Sequence, residues 1–510
     1  MKLNKLFIAS CTLLTMASAQ ATHIPQAPQQ APQQSSVQTI ELHSGHAQKN
    51  PVDIKAPTPQ RDKQATATPL TSMNSKSVQP MSLQAAASCN VNAFATSNSS
   101  TLINEIKTQG PNCVNELFNA SAGIQTSAYS SDNMYAVANH VKNLSQSYAG
   151  GGDVNIEAMF LYLRAGYYVE FYNNGVTFVS WVKPAVKGAI DAFVNNANFY
   201  QDNDGHGKTL SEVIITMDSS EQQDIYLPVV KEWLSRWNQS YGNKWNMRSA
   251  VNGIFTILFR GQYNTNFKTL VNTDTTLISR LNNFTQQSWM INSESEYLIS
   301  NAARELGRMK MYGTAIQATV DSGLNSIFTN YVNFGNGDAV WLGAADTATY
   351  YGNCADYGIC GYEVELEAKA LSQTYTCSST LIIRSQNLTS AQQSSACSVL
   401  GAEESYFHNK TQSGNVPIPG DTNNQLQINI FDSSNDYGKY GGPIFDINTN
   451  NGGMYLEGDP SVAGNIPNFV AYEASYAEAP HYVWNLEHEY VHYLDGRFDL
   501  AGNFNSPTEK

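Results

Sequence analysis

Between residues 101 and 331 apolar residues recur at intervals of three and four, segment after segment, with polar positions between them. That period puts one apolar stripe on each of a series of helices. It predicts helices over 101–107, 134–144, 156–172, 178–193, 210–237, 247–259, 270–284, 295–311 and 314–331. Trp233, Leu234 and Trp237 fall on one such stripe, and short loops with Gly, Asn and Asp divide the segments. Consecutive helices without strands predict a layered helical array or superhelix, in which any repeats are degenerate.

After Asp356 the pattern changes. Leu426-Gln427-Ile428-Asn429-Ile430-Phe431 alternates apolar and polar, as a half-buried strand does. Ile444-Phe445-Asp446-Ile447 is a second candidate strand and Met454-Tyr455-Leu456-Glu457 a third. A helix is predicted from about Tyr482 to Leu494, with Gly496 as its terminator. Strands followed by a helix indicate an α+β domain.

The N-terminus reads differently. Lys2 and Lys5, the apolar run Leu6–Met16 and Ala17-Ser18-Ala19 have the order of a secretory signal, which predicts export. Residues 20–88 contain no Phe, Trp or Tyr and are rich in Gln, Pro, Ser and Thr. Such a stretch cannot bury enough apolar surface to offset its conformational entropy, so it reads as a disordered pro-segment or a permanent linker. The predicted organisation is a signal at 1–19, a pro-segment at 20–88, a helical domain at 89–355 and an α+β domain at 356–510.

Composition narrows the function. Charged residues make up 14% of the chain and the formal net charge is −14. A partner built on phosphates needs a basic face, so a nucleic-acid role is excluded. No apolar run beyond the N-terminus approaches the ~18 residues of a spanning helix. Outside the signal the cysteines are Cys89, Cys113, Cys354, Cys360, Cys377 and Cys397. An even set in an exported chain predicts disulfides, with fifteen pairings open for six cysteines. Sequence proximity favours Cys89–Cys113, Cys354–Cys360 and Cys377–Cys397, since short loops close at least entropic cost. Paired C-x2-C spacings are absent, which argues against a zinc knuckle.

The sharpest chemical signal is His488-Glu489-Tyr490-Val491-His492. On a helix, residues four apart share a face, so two imidazoles can grip one Zn2+ while Glu489 lies beside it as a general base toward water. The alternative is a helix with two partly exposed histidines and a solvated Glu. The positions of the metzincin Gly and third His hold Asp495 and Phe498, which excludes that class. Asp495 and Asp499 lie at the predicted helix end, and Glu509 is penultimate, so none is a good third ligand. Asp202-Asn203-Asp204-Gly205 would place Tyr200 and Ser211 at the first and twelfth positions of an EF-hand. Both are wrong for calcium, and a helix-capping turn is expected there. Gly335-Asn336-Gly337 lacks the third glycine of a dinucleotide loop and ends in Val340, and no G-x-S-x-G occurs.

Three blocks carry a family resemblance: Gly452-Gly453-Met454-Tyr455-Leu456-Glu457-Gly458-Asp459-Pro460, Asn468-Phe469-Val470-Ala471-Tyr472-Glu473, and His488 through Phe498. With the helical half and the leader, they resemble the bacterial collagenases of the Vibrio type, zinc metallopeptidases of family M9 in the gluzincin group. The resemblance implies a superhelical, HEAT-like activator domain followed by the upper part of a thermolysin-like peptidase domain. It implies that His488 and His492 ligate zinc and that Glu489 takes a proton from water and delivers it to the leaving amine. Gly452 and Gly453 match a double glycine before the strand that pairs with extended substrate. Glu457 matches a calcium carboxylate, with the carbonyls of Gly496, Leu500 and Gly502 completing that site; without the family, Glu457 reads as a solvated edge-strand acid. The implied function is a secreted zinc metalloendopeptidase acting on collagen or gelatin.

In that family the third zinc ligand is a Glu about thirty residues beyond the motif, whereas this sequence stops 18 residues after His492. The peptidase domain is therefore expected to be C-terminally incomplete, either as a fragment or as a truncated product. A truncated product is expected to bind zinc weakly and to turn over little. The alternatives are a non-catalytic collagen-binding protein and a secreted gluzincin without collagen preference.

Overall fold

The computed structural model describes residues 55–58, 60, 89–449, 452–474 and 482–501, together with the backbone of 508–509. The signal at 1–19, Gly502 and most of 20–88 lie outside the described residues.

Helices dominate. Those that position the features discussed below are α1 (Val154–Tyr172), α2 (Asp204–Ser219), α3 (Trp245–Gly261), α4 (Glu296–Arg308), α5 (Asp338–Tyr351), α6 (Ser390–Thr411), α7 (Ser434–Phe445) and α8 (Leu486–Phe498). In the helical half α1 packs on α2, α2 on α3, α3 on α4 and α4 on α5, so that each layer covers the next. α1 is apolar nearly all round, and Ile156 through Tyr167 are buried without a break, as an interior helix requires. Its N-terminus is capped by Asp153, which accepts from the N–H groups of Asn155 and Ile156. α2 begins at Asn203, whose side chain accepts from the His206 N–H. The 202–205 turn is thus a helix cap. At the α2–α3 crossing, a Cβ on Gly207 would lie 2.4 Å from the backbone of Asn246, so the helices approach only because residue 207 has none.

The sheet has the order β1-β2-β3-β5-β4, with β1 Gln373–Thr376, β2 Leu381–Ser385, β3 Leu426–Phe431, β4 Met454–Leu456 and β5 Asn468–Tyr472. β2, β3 and β5 are parallel, and each edge strand is antiparallel to its neighbour. The short strands β6 (Leu500–Ala501) and β7 (Thr508–Glu509) pair separately. The period-two alternation of the central strands divides two cores. Val470, Tyr472 and Phe431 join one continuous apolar core with α7 and the helical half. Phe469, Ala471, Leu426, Ile428 and Ile430 join a second core, which α6 and α8 cover.

Several sequence expectations are corrected. Ile444-Phe445-Asp446-Ile447 is not a strand: it is the end of α7, whose Tyr437, Tyr440 and Gly441 are buried at helical spacing, and Asp446 leaves it in the left-handed region at φ 53°. The predicted 482–494 helix starts later, at Leu486, and runs to Phe498, so Gly496 lies inside it and terminates nothing. The segment 210–237 is two helices, α2 and Leu227–Arg236, broken at Glu221, whose φ is 53°. The segment 270–284 is likewise divided, into Thr265–Val271 and Thr275–Thr285. Part of the stretch expected to be disordered is placed against the helices: Ala56 and Pro57 are buried.

Candidate metal centre

The motif helix α8 hangs from β5, the strand next to the edge strand β4. Beyond β5, Glu473 bridges Val483, the Trp484 N–H donates to the Tyr472 carbonyl at 3.0 Å and the Ala474 N–H to the Tyr482 carbonyl at 2.7 Å. Asn485 then turns the chain at φ 53° into the helix. Leu486, Tyr490, Tyr493, Leu494 and Phe498 face the second core, which fixes the rotation of the helix about its axis.

That rotation decides where the motif points. The His488 and His492 rings stand 4.9 Å apart between centroids at 88° to each other. The His488 side chain is 67% exposed, whereas that of Glu489 is 9% exposed, with its Oε1 4.0 Å from His488 Nε2. Burial raises the Glu489 carboxyl above the usual range, while His488 and a hydrogen bond from the Tyr455 N–H pull it back. The carboxylate is thereby anchored to β4, an edge of the sheet. Burial, and then His488, lower the His492 pKa, favouring the neutral imidazole that ligates metals. The donor set fits zinc as two of its ligands. Among the described residues no group of three His, Cys, Asp or Glu is arranged to hold a metal ion.

Gly452 and Gly453 precede β4, and both are crowded by the chain itself. A Cβ on Gly452 would lie 1.7 Å from Trp484 Nε1, and one on Gly453 3.2 Å from the Val470 carbonyl. At Gly452 the close neighbour is thus an indole, which stacks on Tyr472.

A second carboxylate cluster lies at the C-terminal half of α8. Glu457 meets Gly496, where an added Cβ would come within 2.6 Å of its Oε1. Burial and the neighbouring Asp421 raise the Glu457 carboxyl. The Asp421 side chain is nearly fully buried and pairs with Arg497 at 2.9 Å through Oδ1, while its Oδ2 has no hydrogen-bond partner. Two facing carboxylates with an orphaned buried oxygen fit a hard cation such as calcium. The sequence reading placed Glu457 and Gly496 together but missed Asp421, which sits in the polar loop Gly420-Asp421-Thr422-Asn423 with no spacing that marks it. Leu500 lies in β6.

Cys89 is bonded to Cys113, Cys354 to Cys360 and Cys377 to Cys397. A cavity of about 1090 Å³ lies where α3, α4 and α7 meet, lined by Trp245, Arg248, Trp289, Arg304 and Lys439. It is separate from the motif histidines. No helix among the described residues is long and apolar enough to cross a membrane.

Comparison with known proteins gives two family matches. Residues 89–269 match the family described as peptidase family M9 N-terminal, and residues 327–510 match the family described as collagenase. A microbial collagenase of Vibrio alginolyticus is 52% identical over 514 residues, covering 100% of this chain and 61% of the relative. A microbial collagenase of Vibrio parahaemolyticus is 29% identical over 361 residues, 68% of this chain and 43% of the relative. Collagenase ColA of Clostridium perfringens is 24% identical over 433 residues, 79% of this chain and 38% of the relative. The chain therefore spans less than two thirds of the length of each of these relatives.

Proposed function

Because the chain belongs to peptidase family M9, whose N-terminal and collagenase segments it carries in order, we propose that it is an exported zinc metalloendopeptidase acting on collagen or gelatin. The observation that carries this reading is the motif helix: two imidazoles side by side on its outer face, with a buried carboxylate one residue on and anchored to an edge strand. Zinc, when bound, supplies Lewis acidity toward a peptide carbonyl and toward water. His488 and His492 would provide two of its ligands.

Glu489 is the general base. Held by the Tyr455 N–H, its carboxylate takes the proton of the attacking water and returns it to the leaving amine. The outer edge of β4 would align extended substrate by strand addition, with backbone hydrogen bonds giving affinity. Glu457 and the carbonyls of Gly496, Leu500 and Gly502 would hold calcium, and Asp421 adds its unpartnered oxygen to that set. In this reading the helices of 89–355 form a HEAT-like superhelix that grips collagen, and 356–510 forms the upper part of a thermolysin-like domain. The leader at 1–19 directs export, and 20–88 is a pro-segment.

The test is made on the zinc-supplemented chain with gelatin as substrate. Glu489→Ala should abolish cleavage while metal analysis shows zinc retained, and His488→Ala should remove the zinc. Cleavage by Glu489→Ala at the wild-type rate would sink the proposal. A zinc-loaded wild-type chain that binds collagen without cutting it would leave the collagen-binding reading instead.

A further inference from the structure

The N-terminal segment Lys55–Thr58 contacts two helices of the helical half, α1 and α3. The Lys55 carbonyl accepts from Arg260 Nη2 at 2.8 Å, and the Thr58 carbonyl accepts from Arg164 Nη1 at 3.1 Å. Between them Ala56 is 8% exposed and Pro57 is buried. The Lys55 ammonium lies 5.6 Å from the centre of the Tyr263 ring. The partners are 205 and 106 residues away in sequence, so the contact is not local structure.

Both arginines are themselves buried, and their charges are balanced from α2. Arg164 on α1 pairs with Glu212 at 2.6 Å and stacks over Phe118. Arg260 on α3 pairs with Asp218, which is fully buried and also accepts from Gln223. A guanidinium carries five N–H donors in a fixed fork, so the carboxylates balance the charge and leave donors over. Buried donors need acceptors, and the two peptide carbonyls supply one to each guanidinium. Both acceptors are main-chain oxygens, so the contact does not depend on the side chains of Lys55 and Thr58. The positions between them are small or ring-closed, and proline brings a fixed φ and no N–H to leave unpaired. A stretch without aromatic residues cannot order itself, so the order of 55–58 comes from the helices it touches.

We propose that α1, α2 and α3 form a peptide-binding groove for a short proline-containing backbone, read through two carbonyls by Arg164 and Arg260. Lys55–Thr58 occupies it in cis, as a strap that fastens the N-terminal stretch to the helical half. The groove accepts a peptide of the same chemistry in trans only when the strap leaves. The inference does not depend on the zinc reading.

The experiment uses the full chain with Ala56→Asp and Pro57→Asp together, which expel the strap without altering a helix. The probe is a fluorescein-labelled peptide with the sequence of residues 50–61, followed by anisotropy. The strap variant should bind it saturably and at least tenfold more tightly than the wild-type chain, whose groove is filled. Adding Arg260→Gln or Arg164→Gln should weaken that binding at least tenfold, with near-ultraviolet circular dichroism confirming the fold. In parallel, the amides of Lys55 and Thr58, which both chains share, should exchange at least tenfold more slowly in the wild-type chain than in the strap variant. Equal exchange in the two chains, or equal binding of a scrambled peptide, would overturn the proposal. If the arginine variants do not fold, the strap variant and the exchange measurement still decide it.

Discussion

Gly452 and Glu473 both bear on how the motif helix is hung, and each makes a separable prediction. A methyl group at 452 would lie 1.7 Å from the Trp484 indole nitrogen, so Gly452→Ala must displace an indole that stacks on Tyr472. Overpacking of this kind costs about 1–3 kcal/mol. Urea unfolding should show that loss together with a changed near-ultraviolet aromatic spectrum, and an unchanged spectrum would refute the contact. Glu473 follows β5 and faces Asp432. Burial, then Asp432, push its carboxyl up to about 7, above the ordinary unfolded value of about 4.3. Between those two values the native state binds more protons than the unfolded chain, so stability falls as pH rises. The contribution is complete below the unfolded value and lost as pH passes the folded one. Glu473→Gln removes that titration, so its melting temperature should match the wild type at pH 4 and exceed it at pH 8. An equal gain at both pH values would show that Glu473 does not carry the proton.

Disulfides act on whole elements, and the loops they close differ. Cys377–Cys397 ties the β1–β2 connection to α6 with a separation of 20 residues, Cys89–Cys113 spans 24, and Cys354–Cys360 spans 6. By loop entropy, losing either of the first two should cost about 3 kcal/mol and losing the third about 2. Paired Ser substitutions measured by urea unfolding test the order, and a larger loss from Cys354–Cys360 would contradict it. The elements themselves were unevenly legible in the sequence. β3 was read to the residue because its alternation extends over six positions. The four-residue run at 444–447 was misread because the buried end of a helix and a short strand look alike without a second period. The break at Glu221 was announced only by Pro228, at the first turn of the helix that follows it. Gly496 was read as a helix terminator although its lack of a Cβ serves Glu457. The motif histidines were legible because their spacing is a helical period, whereas Asp421 reaches the site through loop geometry that no local pattern encodes.

At the scale of the molecule, the sheet is a partition. One face belongs to the core that runs through the helical half, and the other carries the motif helix. Asp338, at the first turn of α5, joins the helical half to the sheet side. Its carboxylate takes Lys439 of α7 at 2.9 Å and the Tyr440 hydroxyl, and Glu296 of α4 stands 3.8 Å from the same ammonium. Burial pulls the Lys439 pKa down, but Asp338 and Glu296 outweigh it and hold the ammonium charged. Asp338→Ala would leave a largely buried cation short of its nearest partner, a loss of about 3–5 kcal/mol. Asp338→Asn keeps an acceptor for Tyr440 and should cost less. Because this joint and the motif lie on opposite faces of the sheet, the zinc affinity of both variants should stay within about threefold of the wild type, as independent sites require. Calorimetric unfolding and zinc titration measured on the same samples separate the two effects. A loss of zinc affinity that scaled with the loss of stability would mean that the partition transmits strain and that the two cores behave as one.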